Sequence, residues 1–108
     1  MIHPSSVISE SAKIDKSTYV GPFCVIGDNV EIGKNNRLIS HVSISGHTKI
    51  QDNNSFYPNS SIGLEPQDLK FKNEESYLEI GNYNTFRENV TVNPGTIGGG
   101  LNTIIKEW

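Results

Sequence analysis

The sequence predicts an all-β chain folded as a parallel β-helix, a triangular prism of about six coils with one loop inserted. Three observations carry this reading. Large apolar residues recur every six positions, small residues recur four positions after them, and Gly, Asn and Pro fall in the intervals.

The apolar column starts at Ile2 and runs through Ile8, Ile14, Val20, Ile26, Ile32, Leu38, Ile44, Ile50, Phe56 and Ile62 without a miss. The next steps land on Asp68 and Glu74, then on Ile80, Phe86 and Val92, then on Gly98 and Ile104. Only 34% of the chain is hydrophobic, so an unbroken run of this kind does not arise by chance. A helix is excluded, because a step of six turns a helix by roughly 600° and scatters the column around the cylinder.

The second column is Ser6, Ala12, Thr18, Cys24, Val30, Asn36, Val42, Thr48, Asn54 and Ser60. It lies two positions before the next apolar residue, which is the strand period, so each short strand points one bulky and one small side chain inward. Gly21, Gly27, Gly33, Gly63 and Gly81 follow apolar residues, and Asn29, Asn35, Asn53 and Asn59 stand two positions further on. Both residue types tolerate the left-handed backbone of a tight corner. Pro4, Pro22 and Pro58 also fall at corners rather than in strand centres. Three strands and three corners make one 18-residue coil, and parallel stacking of six coils gives a prism about 29 Å tall. His41 and His47 each stand three positions after an apolar residue, so they read as a stacked structural pair.

The interruption spans about residues 64–78 and reads LEPQDLKFKNEESYL. Solenoids take insertions as loops on one face, often the binding face. Within it, Gln67, Asp68 and Lys70 bring together an amide, a carboxylate that accepts from sugar hydroxyls, and an ammonium that meets phosphate. They are the candidate substrate-binding residues.

Composition narrows the function. With 9 basic and 12 acidic residues the net charge is −3, which gives no electrostatic case for nucleic acid or an anionic membrane. No apolar run is long enough to span a bilayer and no signal peptide is visible. One cysteine, Cys24, forms no internal disulfide, which fits a reducing compartment. A cytoplasmic location is expected.

Four segments carry a family resemblance: Gly21-Pro22-Phe23-Cys24; Ser40-His41-Val42 with Gly46-His47-Thr48-Lys49-Ile50; Gln67-Asp68-Leu69-Lys70; and Glu88 to Thr96 followed by Gly98-Gly99-Gly100-Leu101. In order and spacing they resemble the N-terminal portion of the acyl-[acyl-carrier-protein]–UDP-N-acetylglucosamine O-acyltransferases. The resemblance implies a left-handed coil, a hand that local physics does not supply. It implies transfer of a 3-hydroxyacyl chain from acyl carrier protein to the 3-hydroxyl of UDP-N-acetylglucosamine, the first step of lipid A synthesis. It also implies a homotrimer with clefts between prisms, a histidine base, and no metal or organic cofactor. Carried over, Gln67 and Asp68 contact the glucosamine and Lys70 lies close by.

The resemblance places the base histidine, the remaining coils and a C-terminal helical domain beyond Trp108. His3, His41 and His47 do not match the base, so no catalytic residue is expected in this chain. The final coil begins at Ile104 without a cap, which reads as a fragment, inactive by itself. Two alternatives stay open: another hexapeptide sugar N- or O-acyltransferase, and a non-catalytic trimerisation fragment. A carbonic anhydrase of this fold needs three converging histidines, and no third candidate has suitable spacing.

Overall fold

The computed structural model describes residues 1–63, 77–93 and 102–105, the last four by backbone path alone. Short pairs with an apolar second residue, separated by corner residues, give strands of mostly two residues. In each pair the second residue points in and the first points out. The strands stack into three parallel faces. The first face comprises β3 (Tyr19–Val20), β6 (Arg37–Leu38), β9 (Ser55–Phe56) and β12 (Thr85–Phe86), extended by a bridge from Ile2 to Val20. The second comprises β1 (Val7–Ile8), β4 (Val25–Ile26), β7 (Ser43–Ile44), β10 (Ser61–Ile62) and β13 (Thr91–Val92). The third comprises β2 (Lys13–Ile14), β5 (Val30–Ile32), β8 (His47–Ile50), β11 (Tyr77–Ile80) and β14 (Asn102–Ile105).

The predicted apolar column is the core. Val20, Leu38, Ile44, Phe56, Ile62 and Ile80 are fully buried, and Phe56 and Phe86 stack with ring centroids 4.9 Å apart. Regular coils pair residues 18 apart, as Val7 with Val25 and Arg37 with Ser55. Ile50 instead pairs with Ile80, a separation of 30, so the first interruption adds two hexads and keeps the phase. Leu78 already lies in β11 and is 1% exposed.

One expectation is corrected here. Ile80 pairs with Ile105, and Ile104 stands opposite Glu79. The spacing is 25, one more than a multiple of six, and a one-residue slip turns every side chain to the other side of a sheet. The backbone register of β14 is therefore one residue off the hexad count. The described strands stack five deep on the second and third faces.

The small column divides into three stacks, because contact recurs every third hexad. One stack is polar and buried: Thr18, Asn36, Asn54 and Asn84. The Asn36 backbone N–H donates to Thr18 Oγ1 (3.2 Å), that of Asn54 to Asn36 Oδ1 (2.9 Å), and that of Asn84 to Asn54 Oδ1 (2.8 Å). The amides donate onward, Asn36 Nδ2 to the Gln51 carbonyl (2.6 Å) and Asn54 Nδ2 to that of Gly81 (2.8 Å). Each coil thereby satisfies buried groups of the next, as burial requires.

The corners are left-handed at Asn29, Asn35, Asn53 and Asn59, with φ between 55° and 67°. The glycines differ from expectation. Positive φ occurs at Gly46 and Gly63, whereas Gly21 and Gly33 are needed because the next coil packs on them: a Cβ at Gly33 would lie 2.7 Å from the Gln51 carbonyl oxygen.

Candidate functional site

The prism has one edge where its regular corners give way, between the second and third faces. Lower down it closes through Asn29, a tight left-handed corner with φ 59°. One coil higher, β8 is four residues long and begins at His47, directly after Gly46 (φ 70°). More residues than a corner needs separate Gly63 from the return strand β11, and Asn93 from the return strand β14. Both four-residue return strands align with β8, which puts His47, Tyr77 and Asn102 in one register column. The two segments that interrupt the repeat thus depart from one edge on adjacent coils.

Packing explains the departure point. Gly63 has φ 78°, and a Cβ there would collide with the Ser45 carbonyl oxygen and Thr48 Oγ1. A Cβ on Gly46 would meet the Gly63 carbonyl oxygen at 2.8 Å. Thr48 Oγ1 donates to the Ser45 carbonyl at 2.7 Å and holds the turn closed beneath. The backbones meet so closely that only glycine fits at both places.

The His47 and Tyr77 rings lie 5.0 Å apart at 44°. They border a hollow of about 280 Å³ shared with Asn29, Glu31, Lys49 and Glu79. Further down the third face, a shallower hollow of about 610 Å³ runs along Lys13, Glu31 and Lys49, with Asp15, Lys34 and Asp52 at its side. The outward column of that face alternates in sign, Lys13, Glu31, Lys49, Glu79, so stacked neighbours attract rather than repel.

His41 and His47 do not form a stacked pair. They are six residues apart, one face apart on the prism, while stacked residues are 18 apart. His41 (φ 52°) sits at the edge between the first and second faces, its ring 5.2 Å from that of Phe23. His47 sits on the opening edge. Counting in coils rather than hexads would have separated them.

Gln67, Asp68 and Lys70 lie outside the described residues. Elsewhere, burial raises the Cys24 thiol pKa above its ordinary value. Hydrogen bonds from Ser17 hold Asp15 below the usual carboxylate range, and those from Ser9 and Ser11 do the same for Asp28. Arg87 lies 4.1 Å above the Tyr57 ring and pairs with Glu88 at 3.2 Å on the exposed surface. Among the described residues no three His, Cys, Asp or Glu side chains converge as a metal site would need.

A stack of parallel hexapeptide strands with chain departing from one edge defines the class, a hexapeptide-repeat left-handed parallel β-helix. The model of the bacterial transferase hexapeptide family (six repeats) matches residues 5–40. The acyl-[acyl-carrier-protein]–UDP-N-acetylglucosamine O-acyltransferase of Thermodesulfovibrio yellowstonii is 47% identical over 98% of this chain and 41% of its own length. The crystal structure of UDP-N-acetylglucosamine O-acyltransferase from Moraxella catarrhalis superposes with a TM-score of 0.90 at 45% identity, over 95% of this chain and 40% of that one. The Francisella novicida UDP-N-acetylglucosamine acyltransferase gives 0.92 at 43% identity, over 98% and 39%. Sequence and fold together identify the chain as a homologue of the N-terminal portion of the acyl-[acyl-carrier-protein]–UDP-N-acetylglucosamine O-acyltransferases. It spans about two fifths of their length, 41% of the first.

Proposed function

We propose that this chain supplies the N-terminal coils of an enzyme of lipid A synthesis. The enzyme transfers a 3-hydroxyacyl group from acyl carrier protein to the 3-hydroxyl of UDP-N-acetylglucosamine. One observation carries the reading: 47% identity to a protein of that name, spread over 98% of the chain. The enzyme acts as a cytoplasmic homotrimer and needs no metal or organic cofactor. No helix among the described residues is long and apolar enough to cross a membrane.

In this reading Gln67 and Asp68 contact the glucosamine and Lys70 lies near them. Asp68 accepts from a sugar hydroxyl, a charge-assisted bond that fixes the ring. The general base is a histidine outside this chain, since a near-neutral base is what hydroxyl deprotonation needs. The chain's own part is to hold the sugar nucleotide in place.

The test is a chimera. These 108 residues replace the matching segment of a full-length homologous O-acyltransferase, and acyl transfer to UDP-N-acetylglucosamine is measured. Transfer should persist in the chimera and be undetectable with the 108-residue chain alone. In the chimera, Asp68→Ala should raise KM for the sugar nucleotide about tenfold, the loss of one charged hydrogen bond. A folded chimera that turns over a different sugar nucleotide, and not this one, would sink the proposal.

A further inference from the structure

The buried stack of Thr18, Asn36, Asn54 and Asn84 ends on an unmet donor. Asn84 is 5% exposed, and its Nδ2 has no hydrogen-bond partner among the described residues. A buried amide donor left unpaired costs free energy, and native structures supply it a partner. We propose that this end of the prism is a docking surface for the remainder of the coil that β14 begins, with Asn84 as its anchor, donating to a main-chain carbonyl of that coil. The inference rests on the repeat and not on the substrate named above.

The lower coils define the acceptor. Thr18 Oγ1 donates to the Gly33 carbonyl, Asn36 Nδ2 to that of Gln51 (2.6 Å) and Asn54 Nδ2 to that of Gly81 (2.8 Å). Each donor stands four residues after an inward residue of the third face: Ile14, Ile32 and Ile50 in turn. Each acceptor directly follows the residue stacked on that one a coil higher: Ile32, Ile50 and Ile80. Ser6 obeys the same rule on the first face. Ile2 bridges to Val20, and Ser6 Oγ donates to the Gly21 carbonyl at 2.7 Å. Asn84 stands four residues after Ile80, so the rule assigns it a carbonyl of the next coil at the same place in the period. Every residue carries a main-chain carbonyl, so this anchor selects a coil by position and not by side chain.

The surroundings of Asn84 fit the same occupant. β14 begins a coil on the third face, while β12 and β13 end the first and second faces among the described residues. At that end Phe86 stacks on Phe56 below it, and Val90 and Val92 are half-buried against the core. A further coil of the repeat brings both things this end lacks, an inward apolar side and a carbonyl at the stack position. The curated relatives continue well past the matched segment, which covers 41% of the Thermodesulfovibrio yellowstonii enzyme.

The experiment compares the 108-residue chain with a chimera in which it replaces the matching segment of the Thermodesulfovibrio yellowstonii enzyme. Urea midpoints are read at one fixed protein concentration, with and without Asn84→Ala. The chain should keep its midpoint, because the Asn84 amide loses no partner there. The chimera should lose about as much as it loses with Asn54→Ala. Selective ¹⁵N-asparagine labelling of the unmutated proteins gives a second reading that does not depend on how the variants fold. The Asn84 side-chain amide should exchange with solvent at least about tenfold more slowly in the chimera than in the chain. Equal midpoint losses in chain and chimera, or equal exchange rates, would overturn the proposal. So would protection in the chain that rises with its concentration, since the end would then be taking a second copy. Acyl transfer is not measured, so the outcome is independent of the proposed function.

Discussion

Replacing Asn54 by alanine tests whether the buried asparagine stack holds the coils together. Asn54 is fully buried. Its Oδ1 accepts the Asn84 backbone N–H at 2.8 Å, and its Nδ2 donates to the Gly81 carbonyl at 2.8 Å and to Asn36 Oδ1 at 3.0 Å. Alanine leaves the Asn84 N–H without its acceptor and the Gly81 carbonyl without this donor. Each buried orphan costs about 1–3 kcal/mol, and the cavity adds to that, so a loss of about 3–5 kcal/mol is expected. A domain of this size has roughly 5–15 kcal/mol in total, so the variant stays folded but is badly weakened. Urea unfolding followed by far-UV circular dichroism measures the loss. Amide exchange at Asn84 reads the same event locally, since its protection should fall. Ser55→Ala, on the outward side of the next residue, should stay within about 0.5 kcal/mol. A loss below about 1 kcal/mol at Asn54, with Asn84 protection unchanged, would refute the reasoning and make the stack incidental.

Gly63→Ala should destabilise by about 1–3 kcal/mol in the same assay, because φ is 78° and the new Cβ strikes the Ser45 carbonyl oxygen; an unchanged midpoint would contradict the close packing. Asp15 has a folded pKa below its ordinary 3.8, so its contribution to stability is present above that value and is lost as pH falls through the lower folded one. Ser17→Ala removes the largest cause, and an NMR titration should find the Asp15 pKa moved up toward 3.8. Cys24 is buried with its thiol pKa raised, so a thiol reagent at pH 8 should label it slowly in the folded chain and fast in urea; equal rates would place the thiol at the surface.

The core was legible from Ile8 to Ile62, with Ile8 and Ile14 half-buried and Ile2 exposed at the end of the column, because inward-facing residues on every strand obey one local rule, period six. Contacts between coils obey a different period, 18, and the linear columns hid it. That is why Asn36 and Asn54 read as merely small when they form a hydrogen-bonded stack with Thr18 and Asn84. It is also why His41 and His47 read as partners, although their ring neighbours are Phe23 and Tyr77. Ile105 was missed for a third reason. The number of residues between Val92 and β14 does not keep the hexad count, so the pairing of Ile80 with Ile105 could not be inferred from spacing. On the site, the sequence marked the interruption at residues 64–78 and its residue chemistry, but not the second one between Val92 and β14. It did not show that they leave the same edge, because that depends on Ile62 and Val92 pairing within one face.

The opening edge has a consequence for how such chains vary. At a closed corner such as Asn29, one added residue would throw every later strand out of register. After Gly63 and Asn93, by contrast, the next described strand is held by four residues of pairing rather than two. The separations there, 30 residues from Ile50 to Ile80 and 25 from Ile80 to Ile105, need not both be multiples of six. Insertions between Gly63 and Tyr77 should therefore disturb the register of the prism less than insertions at Asn29.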